Sequence, residues 1–261
     1  MKKIIIKTED RLALSCQLRS VKHPIGAVIF VHGMTGNMET EVTFSKIEDF
    51  LNKENITTIK FDIRGHGLSQ GVPEKDFTIS GALKDLESVF NYIQMSGIRN
   101  ISIVANSLGA GIATLFVISN KAIIKSLCYI NPVLDFSNSF IHPLSPWMKT
   151  NFDKANTELR KNGFIEVGYS KYRIGPELYK ELGEYNPINI LKNIECPTLI
   201  LQGTNDVVVL PESISRQVSE VKNKLLNVIQ IQGGDHGLYD EPYCTEATSI
   251  SSKFILATLV A

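Results

Sequence analysis

Short apolar runs alternate with amphipathic stretches along most of the chain. Segments 2–7 and 12–18, separated by the polar residues 8–10, predict an N-terminal β-hairpin. Further short runs are strand-like because they are rich in β-branched side chains. They lie at 27–31, 56–61, 101–105, 126–130, 198–203 and 226–231. Since these runs are apolar almost throughout, we expect strands that are covered on both faces, as in a parallel sheet.

Helical spacing fills the intervals between the predicted strands. Apolar residues recur three or four positions apart in several stretches. These stretches lie at 44–51, 79–93, 214–221 and 250–257. Gly97 follows one of them as a C-terminal cap, and Pro211 precedes another as a helix start. The alternation predicts an α/β fold, with a mostly parallel eight-stranded sheet and helices on both faces.

Residues 136–190 interrupt this alternation. The segment has no convincing strand, and it contains nine of the chain's 21 aromatic residues. We interpret it as a helical cap inserted after the sixth core strand, with residues 1–135 and 191–261 forming the core. The insert accounts for a length of 261 residues, which is large for one domain and small for two. Its aromatic side chains can close the cap's own core, or line an apolar pocket that faces the sheet.

Composition and charge exclude several classes of protein. The 27 basic and 27 acidic side chains cancel, so we expect no nucleic-acid partner. Only three isoleucines follow Lys2-Lys3, too few for a signal peptide, and no apolar run approaches the length of a membrane span. We therefore expect a soluble, cytoplasmic protein with no stable membrane insertion. Its four widely spaced cysteines predict free thiols rather than disulfides or a zinc site.

A serine between small residues follows the fifth predicted strand. Ala105 and Gly109 lie two positions to either side of Ser107, where strand gives way to helix. A nucleophile elbow needs small residues there, because its sharply turned backbone leaves no room for larger ones. Two other interpretations compete. Ser107 could be a simple helix cap, and Gly109-x-Gly111 could belong to a dinucleotide loop, although Thr114 occupies the place of its third glycine.

A serine nucleophile needs a base, and the base needs an acid to orient it. His236 lies in a glycine-rich loop directly after the last predicted strand, where it can face the edge of the sheet. Asp206, after the seventh strand, is the first candidate for the acid. Asp135, after the sixth strand, is its rival. Asp235 ranks below both, since neighbours in sequence rarely face each other.

Ser107, Asp206 and His236 thus occur in the order nucleophile, acid, base, each just past a strand end. In this order the chain resembles the α/β-hydrolase superfamily, and the resemblance extends over nearly the whole sequence. The core fold that it implies agrees with the α/β architecture that the periodicity predicts.

Two further loops strengthen the resemblance. The sequence HGMTGN at 32–37 looks like the family's oxyanion loop, and the resemblance implies the backbone N–H groups of Met34 and Leu108 as oxyanion donors. The sequence DIRGHGLS at 62–69 matches a loop common in the lipase and esterase branches, whose arginine and histidine (His66) we interpret as structural. Together these loops most resemble cinnamoyl (feruloyl) esterases and monoacylglycerol-lipase-like enzymes.

The chain also departs from the family pattern. Ala105 replaces the first glycine of G-x-S-x-G, a tolerable change because alanine is still small. Asn106 stands beside the serine where many relatives carry His or Gln. The predicted cap matches no particular family motif, although a cap usually sets the choice of substrate.

The resemblance implies a serine hydrolase that cleaves carboxylic esters through an acyl-enzyme on Ser107. Such chemistry needs no cofactor or metal ion. The expected partner is a small-molecule ester or thioester with an apolar or aromatic acyl group, and the oligomeric state stays open. Thioester hydrolysis and acyl transfer are alternatives that would use the same residues. Carbon–carbon bond hydrolysis, cofactor-free haloperoxidase activity and non-catalytic ligand binding are further alternatives.

Overall fold

The short apolar runs are strands in the computed structural model of the protein, which describes residues 1–118, 124–221 and 223–261. In chain order the strands are β1 Lys2–Lys7, β2 Ala13–Arg19, β3 Gly26–Val31, β4 Ile56–Phe61, β5 Ile101–Asn106, β6 Ile124–Ile130, β7 Ile165–Val167, β8 Tyr172–Ile174, β9 Thr198–Gly203 and β10 Leu226–Ile231. All except β7 and β8 form one eight-stranded sheet, ordered β1-β2-β4-β3-β5-β6-β9-β10. Strand β2 is antiparallel to both of its neighbours, and the other neighbouring strands are parallel. The predicted sheet is confirmed.

Helices cover both faces of this sheet. In chain order they are α1 Val42–Lys53, α2 Pro73–Asp76, α3 Ile79–Met95, α4 Leu108–Val117, α5 Pro146–Phe152, α6 Ala155–Asn162, α7 Pro176–Glu184, α8 Ile188–Leu191, α9 Pro211–Val221 and α10 Tyr243–Val260, with a π-helix at Ser137–Ile141. Alternate side chains of β3 point to opposite faces. Ile29 joins the core that includes α3 and α4, whereas Phe30 joins the core that includes α1 and α10. Burial on both faces explains why the central strands β3, β5 and β9 are largely apolar. The edge strand β10 is partly exposed, so the expectation of burial on both faces is wrong for it.

The parallel arrangement places the carboxyl ends of β3, β5, β9 and β10 along one edge of the sheet. The loops that follow them carry the residues singled out from the sequence. The four cysteines are buried as free thiols. No helix in the described ranges combines the length and the apolar character that crossing a bilayer requires.

The 136–190 segment differs from its prediction. It contains the π-helix and the helices α5, α6 and α7, but it also contains an antiparallel hairpin of β7 and β8, so the expectation of no strand there is wrong. Each of these strands has only three residues, too few to show a period of two. The turn between them uses positive φ angles at Gly168 and Lys171, at 69° and 51°. Ile165, Val167 and Ile174 point inward and are buried.

Candidate active site

Ser107 occupies the tight turn between β5 and α4. Its backbone has φ 51° and ψ −123°, a conformation that non-glycine residues rarely adopt and that is concentrated at functional sites. The turn packs closely against the end of β3, and a Cβ atom on Gly109 would collide with the Val31 carbonyl oxygen. The Ser107 side chain makes no hydrogen bond that caps α4. The interpretation of Ser107 as a simple helix cap is therefore wrong.

His236 connects Ser107 to Asp206. Its Nε2 lies 3.0 Å from Ser107 Oγ, and its Nδ1 lies 2.9 Å from Asp206 Oδ2. The three side chains come from loops at the ends of β5, β10 and β9, so the sheet edge brings together residues that are far apart in the chain. With Nδ1–H donating to the carboxylate, Nε2 has a free lone pair that can accept the Ser107 proton.

Asp206 is held by a set of hydrogen-bond donors. Its Oδ1 accepts the backbone N–H groups of Val208 and Val209 at 2.8 and 2.9 Å, and its Oδ2 accepts Asn131 Nδ2 at 2.6 Å and Gln202 Nε2 at 3.1 Å. Burial raises the pKa of Asp206, but the neighbouring imidazole and these donors outweigh burial and lower the pKa below its usual value. Burial lowers the pKa of His236, yet the charge and hydrogen bond of Asp206 raise it overall. Each group therefore stabilises the charged form of the other.

The rival acids lie outside this arrangement. The carboxylate of Asp135 accepts hydrogen bonds from the backbone N–H and the Nδ2 of Asn138, at 3.1 and 2.7 Å, and so closes a local turn. Asp235 is exposed and acts on His236 through its charge. The carboxylate that contacts the imidazole is that of Asp206.

Two buried, neutral histidines hold the loop after β3 in place through hydrogen bonds. His32 accepts the Ile63 N–H at its Nε2, and its Nδ1 donates to the Gly33 carbonyl at 2.8 Å. His66 Nε2 donates to the Met34 carbonyl at 2.6 Å. Burial lowers the pKa of His32 to about 4 and that of His66 to about 3. The hydrogen bonds hold the backbone of Met34 beside Ser107.

The second loop, at 62–69, is also tied down. The Arg64 guanidinium donates to Asp85 Oδ1 through Nε at 2.9 Å and Nη2 at 2.7 Å, while the Arg64 backbone N–H donates to Asp85 Oδ2 at 2.9 Å. Arg64 also contacts Asp10, whose pKa this arginine lowers to about 2. These contacts agree with a structural role for Arg64 and His66.

Sequence reasoning missed the contacts among three polar side chains next to Ser107, of which two are buried and that of Tyr239 is half-buried. Glu41 Oε2 accepts Asn106 Nδ2 and the Tyr239 hydroxyl, both at 2.7 Å. Asn106 was singled out only as a departure from the family pattern. Glu41 precedes α1, where an acidic residue is ordinary and exposed, so nothing in the local sequence indicates its burial.

A cavity of about 270 Å³ opens above Ser107. One wall is apolar and comes largely from the 136–190 segment, through Phe140, Trp147, Met148, Phe152 and Val167. The rest of the lining includes Met34, Thr40, Glu41, Leu108 and Tyr239. Within the described ranges, no lysine or arginine lines the cavity. Leu108 is the first residue of α4, where the backbone N–H groups have no partner within the helix.

The aromatic residues of the 136–190 segment divide between two environments. Phe136, Phe140 and Phe152 form a chain of edge-on ring contacts inside the segment, and the last two also reach the cavity. Tyr172 instead stacks on His66, with ring centroids 4.5 Å apart, and Tyr169 is fully exposed. Phe140 and Phe152 therefore both pack within the segment and line the cavity.

Comparison with known proteins identifies a matching family and related proteins. A family model described as "Serine aminopeptidase, S33" matches residues 22–171, more than half of the chain. The mouse "Serine hydrolase BPHL" is 23% identical over 220 residues, which is 82% of this chain and 74% of that protein. The human "Serine hydrolase BPHL" is 25% identical over 191 residues, 70% of this chain and 64% of that protein.

Solved structures share the fold over the full length. Est1E from Butyrivibrio proteoclasticus, with ferulic acid bound, superposes with a TM-score of 0.81 at 20% identity, covering 99% of this chain and all of that one. Mouse alpha/beta hydrolase domain-containing protein 10 superposes with a TM-score of 0.77 at 20% identity, covering 98% of each chain. Together with the matched residues, this fold shows that the chain belongs to the S33 serine aminopeptidase-like family of α/β hydrolases.

Proposed function

We propose that this protein is a serine hydrolase that cleaves carboxylic esters through an acyl-enzyme on Ser107. The observation that carries the proposal is the position of His236, within 3.0 Å of Ser107 Oγ and 2.9 Å of Asp206 Oδ2. A serine hydroxyl is a weak nucleophile until an adjacent base can take its proton. This arrangement provides both the base and the acid that orients it.

Acylation of Ser107 is the first half of the proposed reaction. Ser107 Oγ attacks the ester carbonyl carbon while its proton passes to His236 Nε2. Negative charge then develops on the carbonyl oxygen, and the backbone N–H groups of Met34 and Leu108 stabilise it. When the tetrahedral intermediate collapses, the bond to the alcohol oxygen breaks, and His236 protonates the leaving alcohol.

Hydrolysis of the acyl-enzyme is the second half. His236, neutral again, takes a proton from a water molecule whose oxygen adds to the acyl carbon. The second tetrahedral intermediate collapses with cleavage of the bond to Ser107 Oγ, which regains its proton from His236. The carboxylic acid leaves, and the resting enzyme is restored.

We further propose that residues 136–190 form a cap, with residues 1–135 and 191–261 as the core, and that the cap selects the acyl group. The wall that this segment contributes to the cavity is apolar and aromatic, and the described lining has no cationic side chain to attract an anion. These features favour an ester with an apolar or aromatic acyl group. The ferulic acid bound to Est1E is an aromatic acid of this kind.

A tagged fluorophosphonate, which reacts with activated serines, tests the proposal. We expect mass spectrometry to locate the adduct on Ser107. We also expect Ser107→Ala to abolish labelling and to lower p-nitrophenyl ester hydrolysis on the order of a million-fold, with the melting temperature retained. An unlabelled Ser107, or a variant that keeps a tenth of the activity, would contradict the proposal. Acyl-CoA substrates in the same assay distinguish an esterase from a thioesterase.

A further inference from the structure

A buried carboxyl group, that of Glu41, lies in the cavity wall beside Ser107 and has no part in the mechanism above. Glu41 occupies the N-cap position of α1, yet its side chain makes no capping hydrogen bond to the helix. The residue is only 2% exposed and lines the same cavity as Ser107 and His236. A buried carboxylate is costly unless its surroundings compensate it. Its partners therefore indicate what it does.

Those partners come from three different loops of the site. Glu41 Oε2 accepts a hydrogen bond from Asn106 Nδ2, directly before Ser107, and another from the Tyr239 hydroxyl, three residues after His236, both at 2.7 Å. Asn106 Nδ2 also donates to the Tyr239 oxygen at 3.0 Å, which closes a triangle of hydrogen bonds. One carboxyl group thereby ties the nucleophile turn to the histidine loop.

The third loop is the one that follows β3. The Gly33 backbone is close enough to the Glu41 carboxyl group to lower its pKa. A Cβ atom on Gly36 would lie 2.6 Å from Glu41 Oε1, so this loop closes directly on the carboxylate. The segment proposed to stabilise the oxyanion therefore packs against the same carboxyl group that Asn106 and Tyr239 hydrogen-bond.

The carboxyl group of Glu41 also affects the charge of His236. The acidic groups that act on its imidazole are Asp206 in direct contact, Glu41 across the cavity wall and Asp235 from the adjacent position. Burial raises the pKa of Glu41, and the opposing effects of Tyr239, Asn106, His236 and the Gly33 backbone offset burial only in part, so this pKa stays above its usual value. In the described ranges, no ion pair joins Glu41 to a lysine or arginine. His236 is therefore the cation-forming group that acts on this carboxylate.

We propose that Glu41 is a positioning residue that locks the nucleophile turn, the oxyanion loop and the histidine loop together, and that its carboxylate provides a second negative charge for the His236 imidazolium. The proposal rests on the proposed function insofar as His236 acts as the base. Glu41 acts through other residues and need not contact the substrate. Its removal is expected to lower kcat, with little effect on KM.

Glu41→Gln tests both parts, because it removes the charge and keeps the shape and one acceptor oxygen. The titration of His236 is followed by NMR of the ¹⁵N-labelled imidazole, which needs no substrate. The second-order rate constant for fluorophosphonate labelling of Ser107 is measured across the same pH range. We expect the His236 midpoint to fall by roughly one pH unit, since a nearby opposite charge favours the protonated imidazole. The plateau labelling rate should fall on the order of tenfold.

Glu48→Gln is the matched control. Glu48 is likewise a buried glutamate, within α1, but it pairs with Lys60 at 3.0 Å and does not line the cavity. This variant should lose stability while it keeps the wild-type His236 midpoint. An equal shift in both variants would show a general effect of a buried Glu→Gln change and would overturn the proposal.

Tyr239→Phe separates positioning from charge and serves if Glu41→Gln does not fold. It removes one donor to Glu41 and leaves the carboxylate in place. We expect a lower plateau labelling rate with the His236 midpoint retained. A Glu41→Gln variant with wild-type midpoint and rate overturns the proposal, as does a Tyr239→Phe variant with the wild-type rate. If wild-type Ser107 is not labelled at all, the proposed function fails, while the NMR midpoint still tests the pairing of Glu41 with His236.

Discussion

At the scale of single residues, the environment of Asp206 separates it from the other acidic side chains near the sheet edge. Both of its carboxylate oxygens accept two or more hydrogen bonds, and one of them faces His236. Asp135 has a similar place in the chain, one strand earlier, but bonds only within its own turn among the contacts that the structure describes. Distance along the chain from a strand end does not distinguish the two residues, whereas these contacts do.

Asp206→Asn is therefore expected to reduce kcat on the order of 10⁴-fold, because an amide cannot hold the required tautomer or stabilise the imidazolium. Asp135→Asn, which loses an exposed acceptor, should leave kcat within about twofold of the wild type. Steady-state p-nitrophenyl ester hydrolysis measures both, with melting temperatures recorded to confirm folding. The opposite ranking would transfer the acid role to Asp135.

The residues of the site also differ in how far the sequence reveals them. Ser107, Asp206 and His236 are visible because each follows a strand, and Ser107 has the small neighbours that a sharp turn demands. Glu41 carries no such mark. Its proposed role depends on contacts with Asn106 and Tyr239, which lie 65 and 198 residues away in the chain.

At the scale of elements, hydrophobic periodicity predicts an element only where the element is long enough for its side-chain pattern to repeat. Helix α3, predicted from a stripe at 79–93, runs over Ile79–Met95, and Gly97 has a positive φ of 89° just beyond its end. Strands β7 and β8 are not predicted, because a strand of three residues is too short to show an alternating pattern of side chains. The hairpin still matters, since Tyr172 of β8 places its hydroxyl 3.2 Å from His66 Nδ1. Tyr172 thereby connects the 136–190 segment to His66, whose ring hydrogen-bonds the Met34 carbonyl.

Helix α5 carries the side chain best placed to test the cap. Trp147 is partly buried and lines the cavity, so Trp147→Ala would remove apolar contact with an acyl chain. We expect kcat/KM for long-chain or aromatic p-nitrophenyl esters to fall roughly tenfold, with acetate ester hydrolysis little changed. Tyr169→Ala is the control, because Tyr169 is fully exposed in the same segment. Equal losses for short and long esters would argue against acyl selection by this segment.

At the scale of the whole molecule, burial of neutral histidines links stability to pH. The folded pKa values of His32 and His66 are about 4 and 3, whereas an unfolded histidine titrates near 6.5. As the pH falls below about 6.5, these two histidines bind protons in the unfolded chain but stay neutral in the folded protein, so the free energy of unfolding decreases. His236 has a raised pKa and acts in another window: its contribution is present below about 6.5 and is lost as pH rises through the folded value.

The free energy of unfolding is therefore expected to fall as the pH drops below 6.5, with a slope that approaches about 1.4 kcal/mol per pH unit for each of the two histidines near pH 5. Urea unfolding at a series of pH values measures this slope. His66→Gln should be less stable at pH 7 and should show roughly half the slope. The exposed His23 is the control, since His23→Gln should keep the wild-type slope. A slope that is unchanged in His66→Gln would contradict the assignment.

Local sequence suffices for the elements of the core, their alternation and the candidates Ser107 and His236, but it leaves both Asp206 and Asp135 open as the acid. The physical reason is that side-chain periodicity and the sharp turn at Ser107 impose requirements on neighbouring residues. The contacts of Glu41 and the wall of the cavity depend instead on the packing of distant segments. Burial, hydrogen-bond partners and electrostatic environment arise when the sheet edge brings its loops together, and no local pattern records which side chains then meet.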